Sequence, residues 1–349
     1  MSPRIPRLPA ALALVASAAL VLTGCSQGGA PGAAAAVSGG SSSRKTVSIA
    51  LVRQLSTGDF YEQYLAGATA EAKKLGVDLQ TYSADGDNAK QATQLQQATA
   101  AKPGAIILDH GFTASLKAPT AAAIAAKIPI VSFDVDTGNP GVTTVDQSDA
   151  TIAKDITDKL VSDSGGKAQV VYAYVAGYAP LDKRDAVWKQ VKAANPGLEQ
   201  VAQVGVVNAS TAAQTADQVK AALQAHPGVT AILAPYDEFA KGAVQAVNEL
   251  KLNGKVKVYG ADVSNADISV ITKSGSPWVA TAATDPGNVG AVTVRATYLK
   301  ATGGAVDSAI EVPPALITQD VLRSRSITTL AGLSDAVPDL ETPTIAAVK

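Results

Sequence analysis

The chain has 349 residues, 47% hydrophobic yet only 4% aromatic, with a formal net charge of −1, one cysteine and two histidines. A balanced charge leaves no electrostatic footprint for nucleic acid, and a single thiol leaves no disulfide framework. At roughly 150 residues per domain, the length suits two domains.

Arg4 and Arg7 precede an apolar run, "ALALVASAALVL" (11–22), which ends in Thr23 and Gly24. Charged segment, apolar segment and small residues in this order form a secretory signal. The run is shorter than the ~20 apolar residues of a spanning helix. "LTGC" (22–25) resembles the lipobox of bacterial lipoproteins. The resemblance implies that residues 1–24 are a lipoprotein signal peptide and that Cys25 becomes the lipidated N-terminus. An ordinary signal peptide with an incidental cysteine is the alternative. Residues 25–45 are rich in Gly, Ala and Ser without periodicity and read as a flexible tether, with an average reach of about 25 Å.

From residue 46 strand and helix patterns alternate. "TVSIALV" (46–52) reads as a strand. "DFYEQYLAGATAEAKKL" (59–75) puts Phe60, Tyr64, Ala68, Ala72 and Leu75 on one helical face. Strands at 77–83, 104–109 and 128–134 alternate with helices at 88–100 and 114–126. After a break near 146–149 the alternation resumes with a helix at 149–161. Strands follow at 168–175, 200–207, 229–234, 256–261 and 278–283, with helices around 182–194, 211–225, 237–250, 265–273 and 287–301. A last extended stretch, 309–318, contains a double proline unsuited to a central strand. Residues 326–349 carry no assignable pattern. Unbroken alternation predicts parallel βαβ units in two similar α/β halves.

Ligands of open parallel sheets bind at the carboxyl ends of the strands. Here strand after strand ends in a carboxylate: Asp109, Asp134, Asp237 after Tyr236, Asp262, and Asp285 after Thr284. Helix capping is the alternative reading for each. It suits Asp149 and Asp237 better than Asp134, which leads into the turn "DVDTGNPG".

Several stretches in order carry a family likeness: "AGATAEAKKLGVDL" (66–79), "IPIVSFD" (128–134), "QSDATIAKDI" (147–156), "KRDAVW" (183–188), "LQAHPGVTAILAPYDEFAKGAVQAV" (223–247) and "VKVYGADVSNAD" (256–267). Over residues 46–318 the chain resembles the type I periplasmic binding proteins, in the ribose-binding-like branch that serves sugar ABC importers. The resemblance implies two Rossmann-like lobes with parallel sheets, joined by a three-stranded hinge. Residues 46–147 with 284–311 would form the first lobe, and 148–283 with 312–325 the second. Carried over residue by residue, the family's ligand contacts fall on Asp134, Arg184 and Asp262. A carboxylate accepts from adjacent hydroxyls, and a guanidinium donates in a fixed fork. Departures from the family pattern fall at Val135, Tyr236, Ala261, Thr284 with Asp285, and the first loop Gly58-Asp59-Phe60-Tyr61. Tyr236, Phe60, Tyr61, Asp59, Thr284 and Asp285 join the candidate site. A ring from the Phe60–Tyr61 pair would stack on a sugar face. For Phe60 a core role is the alternative, and for Asp59 an N-cap role. The departures argue against ribose itself and leave a sugar or polyol as the ligand class.

The chain lacks the catalytic signatures H-E-x-x-H, P-loop and G-x-S-x-G. His226 reads as a loop residue, while His110 stands at a strand end where a cleft contact is conceivable. Trp188 and Trp278 read as packing residues. No enzyme, metal or cofactor is expected. The expected partners are a sugar or polyol, an ABC permease, and the membrane through the lipid anchor, with a monomeric receptor outside the cell. A sensor presenting a small molecule to a membrane signalling receptor is the alternative.

Overall fold

Successive residues of a strand face opposite sides of a sheet, and here both sides are covered. In the computed structural model, which describes residues 46–348, Ile49 and Leu51 of the first strand enter one buried cluster, while Ala50 and Val52 enter another. The export signal, Cys25 and the tether lie outside the described residues. Such two-sided burial explains why the strands read as continuous apolar runs.

The chain runs β1 (Ser48–Arg53), α1 (Asp59–Leu75), β2 (Asp78–Ser83), α2 (Asn88–Ala101), β3 (Ala105–Asp109), α3 (Thr113–Ala125), β4 (Ile130–Phe133) and β5 (Thr143–Asp146). It then crosses to α4 (Asp149–Ser164), β6 (Ala168–Ala173), α5 (Ala179–Ala194), β7 (Leu198–Val204), α6 (Thr211–Ala225), β8 (Val229–Ala234), α7 (Asp237–Glu249), β9 (Lys257–Ala261), α8 (Asn265–Thr272) and β10 (Trp278–Ala283). It returns through α9 (Pro286–Thr302) and β11 (Ala309–Glu311), and crosses again into β12 (Ala315–Thr318), α10 (Gln319–Ser324) and α11 (Leu330–Ala336).

Two six-stranded sheets result, in the orders β11-β5-β4-β3-β1-β2 and β12-β10-β9-β8-β6-β7. The fold is α/β, with two lobes built on parallel-dominated sheets. Among the described residues, the one departure from parallel pairing is β12, which runs antiparallel to β10. The expected single stretch 309–318 is thus two short edge strands, one in each sheet. Pro313 and Pro314 lie between them, and neither can donate to a ladder. Strand β5 is an element that the sequence pattern did not reveal. The break near 146–149 is the first crossing between sheets.

Helices α1 and α9 pack closely over the first sheet. A Cβ on Gly67 would stand 2.0 Å from the Gly287 carbonyl oxygen, and one on Gly290 would stand 2.2 Å from that of Tyr64. Only glycine permits that approach. The second lobe has its own two clusters, with Ile232 and Ala234 of β8 on one face and Ala231 and Leu233 on the other.

The C-terminal residues, for which the sequence offered no assignment, join both lobes. Leu330, Leu333 and Leu340 are buried in a second-lobe cluster. Beyond them Ile345 and Ala346 pack against the first lobe. Arg295 of α9 holds this segment, donating through Nε to the Ile345 carbonyl at 3.1 Å and through Nη2 to that of Thr342 at 3.0 Å.

Candidate ligand-binding site

A narrow cavity lies between the lobes, lined by Phe60, Tyr61, His110 and Gln147 from the first side and by Tyr178, Pro180, Leu181, Arg184, Val207, Tyr236 and Asp262 from the second. The carboxyl ends of the strands deliver polar groups to the cavity and to the network behind it. His110 follows β3, Asp134 follows β4 and Asp262 follows β9. All three adopt left-handed backbone, with φ of 55°, 49° and 69°. Asp and His tolerate this region better than most residues, and such conformations concentrate at functional sites. Each backbone N–H is still satisfied by the neighbouring strand: His110 donates to Phe133, Asp134 to Val145 and Asp262 to Ala282.

Arg184 organises the second-lobe wall. Its Nε donates to Asp149 Oδ1 at 2.9 Å. Nη1 donates to the Pro235 carbonyl at 2.9 Å and to Asp262 Oδ2 at 3.1 Å, while Nη2 donates to Asp262 Oδ1 at 3.1 Å. Four of the five guanidinium hydrogens are therefore committed, leaving one on Nη2 for a ligand oxygen. Burial alone would pull the Arg184 pKa down, but the charges of Asp262 and Asp149 outweigh it and raise it. Asp149, expected as a cap, is the second anchor of this fork.

A second chain of hydrogen bonds ties the cavity to the hinge. Gln147, on the first crossing, donates through Nε2 to Asp134 Oδ2 at 2.7 Å. Its Oε1 accepts from Thr284 Oγ1, on another crossing, at 2.7 Å. Asp134 and Thr284 thus stand behind Gln147 rather than on the cavity lining. Burial, and then the charge of Asp149, push the Asp134 pKa well above the usual carboxylate range.

Of the candidates from the sequence, Phe60, Tyr61, Arg184, Tyr236 and Asp262 meet on the cavity wall. The two tyrosines have pKa values raised by burial, so both phenols stay protonated and can donate. Phe60 also stacks on Phe133, with ring centroids 6.3 Å apart, and so serves core and cavity together. Asp59 lies off the lining and accepts from Lys241 of the other lobe at 2.7 Å. Asp285 caps α9, accepting from Asn288 N at 3.0 Å and Ser334 Oγ at 3.0 Å, and lines a separate groove. Its carboxylate is committed there, which removes it from the cavity. Gln147, Tyr178, Pro180, Leu181 and Val207 were not singled out in the sequence. Tyr178, Pro180 and Leu181 sit at the start of α5, one to two turns before Arg184, and that spacing was the available signal.

The lobes meet across the cavity mouth. Phe112 and Tyr178 pack edge to face with centroids 4.6 Å apart. Gly177, at φ 95°, makes room, since a Cβ there would stand 2.5 Å from Phe112 Cε1.

Residues 49–305 match the periplasmic binding protein domain model. The chain belongs to the periplasmic binding protein family. Members of this family are solute receptors, and their two lobes close on a ligand in the cleft. The ribose import binding protein of Bacillus subtilis is 25% identical over 282 residues, covering 80% of this chain and 90% of that protein. A crystal structure of the 5-methylthioribose transporter solute-binding protein from Thermotoga lettingae, in complex with 5-methylthioribose, is 39% identical with a TM-score of 0.84. The match covers 86% of this chain and 95% of that one. A sugar ABC transporter protein from Yersinia enterocolitica is 30% identical with a TM-score of 0.83, over 86% of this chain and 92% of that one.

Proposed function

We propose that this protein is an extracytoplasmic receptor that captures a sugar for an ABC importer, and that its preferred ligand is a pentose bearing an apolar substituent, of the 5-methylthioribose class. The observation that carries this reading is the mixed wall of one cavity. The Arg184–Asp262 fork and Gln147 suit adjacent hydroxyls. Phe60, Tyr178, Pro180, Leu181 and Val207 add an apolar side that suits a substituent without hydroxyls. The likeness to the Thermotoga lettingae protein points the same way.

A thermal-shift and calorimetric screen tests it, because a ligand that binds only the folded state raises the midpoint. Burying a methylthio group is worth about 1–2 kcal/mol, so 5-methylthioribose should bind about tenfold or more tighter than D-ribose. Equal affinity for both would remove the apolar substituent. A shift with neither, nor with any pentose, hexose or polyol, would remove the sugar class.

We further propose that Cys25 carries lipid, that residues 25–45 tether a monomeric receptor to the outer face of the membrane, and that catalysis plays no part. Support comes from the "LTGC" motif after the apolar run. A Cys25→Ser variant should leave the membrane fraction or accumulate as uncleaved precursor. Continued membrane anchoring of that variant would contradict the lipid assignment.

A further inference from the structure

Among the cavity-lining groups, His110 has no role in the fork or in the hinge network. Its Nδ1 lies 2.6 Å from Asp109 Oδ1, which fixes the ring. Its Nε2 has no hydrogen-bond partner among the described residues and stands 3.9 Å from Asp134 Oδ2, beyond bonding distance. The ring lines the cavity and packs edge-on to Tyr61 and Phe133, at 5.2 and 5.1 Å between centroids. His110 also shares the left-handed turn after its strand that places Asp134 and Asp262. Three strands of two lobes thus end in one backbone device, and two of the three residues serve the polar network around the cavity.

We propose that His110 is a specificity-determining ligand contact, donating from Nε2–H to an oxygen of the bound sugar while Asp109 holds the imidazole in place. The proposal rests on the sugar reading above. Burial pulls the imidazole pKa down, but the hydrogen bond and charge of Asp109, followed by the charges of Asp134 and Asp149, raise it above its ordinary value. Arg53, 3.4 Å from Asp109 Oδ2, faces the same pair from β1. Tyr61 from α1 is neutral, and Gln147 from the hinge carries no charge. A bound oxygen that accepts from Nε2–H stabilises the protonated ring. Affinity is then full below the pKa of the free protein's His110 and falls as pH rises through it, by up to about tenfold per unit.

The test is calorimetric titration with 5-methylthioribose and D-ribose from about pH 6 to about pH 9, on the wild type and on His110→Asn. Asparagine tolerates the left-handed backbone and can still donate to Asp109, but it has nothing in place of Nε2. The wild type should lose affinity as pH rises. The variant should bind at least about tenfold more weakly at low pH, with a flattened profile. Any slope it keeps belongs to Asp134 and to the carboxylates around Lys241 between the lobes. Imidazole NMR of the wild type gives a second readout. Only His110 and His226 contribute, and His226→Gln assigns them. The His110 signal should move on adding sugar, and that of His226 should not. Equal affinity and equal pH profiles in wild type and variant, or a His110 signal unmoved by a sugar that binds, overturns the proposal alone. Absence of binding by any sugar overturns the sugar reading with it.

Discussion

Two of the contacts between the lobes have opposite chemistry. One is the aromatic pair Phe112–Tyr178, closed over Gly177. The other is charged. Lys241 of α7 reaches Asp59 of α1 at 2.7 Å, bonds Glu238 on its own helix and lies 4.0 Å from Asp267. Asp237 adds a fourth carboxylate around this one ammonium. Burial, and then the charge of Asp267, push the Asp237 pKa well up, and burial lifts that of Asp267 to about 7. Among the described residues, both oxygens of Asp267 and one of Asp237 find no hydrogen-bond partner. The aromatic contact is indifferent to pH and salt, whereas the charged one depends on how many protons the cluster holds. These two contacts thus hold the lobes by different means, one by shape and one by charge balance.

Removing the ammonium should have the largest effect. Lys241→Met leaves four carboxylates without their cation, and breaking a buried pair costs about 3–5 kcal/mol. Partial exposure of Lys241 places the expectation at the lower end. The thermal midpoint should fall at pH 8 and recover towards the wild type on acidification as the carboxylates protonate. A loss that is equal at both pH values would show that the cluster acts by packing alone.

Phe112→Ala should come next, at about 2 kcal/mol from lost ring contact and burial. Its loss should appear in ligand affinity more than in stability, because the pair forms only when the lobes meet. Calorimetry should give about 30-fold weaker binding, unchanged between low and high salt. An unchanged affinity would make the aromatic contact incidental to closure.

Asp267→Asn is the one change of the three expected to stabilise. The folded-state pKa is raised from 3.8 to about 7, so ionising this carboxylate in the fold costs stability. That cost grows as pH rises through the window between the two values. The variant should be more stable than the wild type at pH 8, and the difference should close as pH falls towards 4. A pH-independent difference would sever Asp267 from the charge balance.

Much of the architecture was readable because apolar runs and 3.6-residue spacing repeat without interruption. Helix α6 was expected at 211–225 and occupies that span. The short strand β5, four residues between a turn and a crossing, offered too few positions for a period to emerge. The edge strands β11 and β12 merged into one stretch because local pattern does not say which sheet receives a strand. In the cleft, strand-end carboxylates were visible as a class, but their commitments were not. Asp285 caps a helix, Asp59 spans the lobes, and Asp149 grips Arg184 from 35 residues away. Gln147 carries no charge and stands in a crossing, so nothing local marks it. Its partners, Asp134 and Thr284, come from distant parts of the chain.

The carboxy-terminal segment has a consequence for the unliganded protein. With Leu340 seated in one lobe and Ile345 against the other, the polypeptide passes between the halves a fourth time, near 341. A body joined by four strands has fewer open shapes available than one joined by three. Less conformational entropy is then surrendered when the halves come together. The tail thereby acts as a doorstop, narrowing the resting swing so that more of each ligand's binding energy survives as affinity.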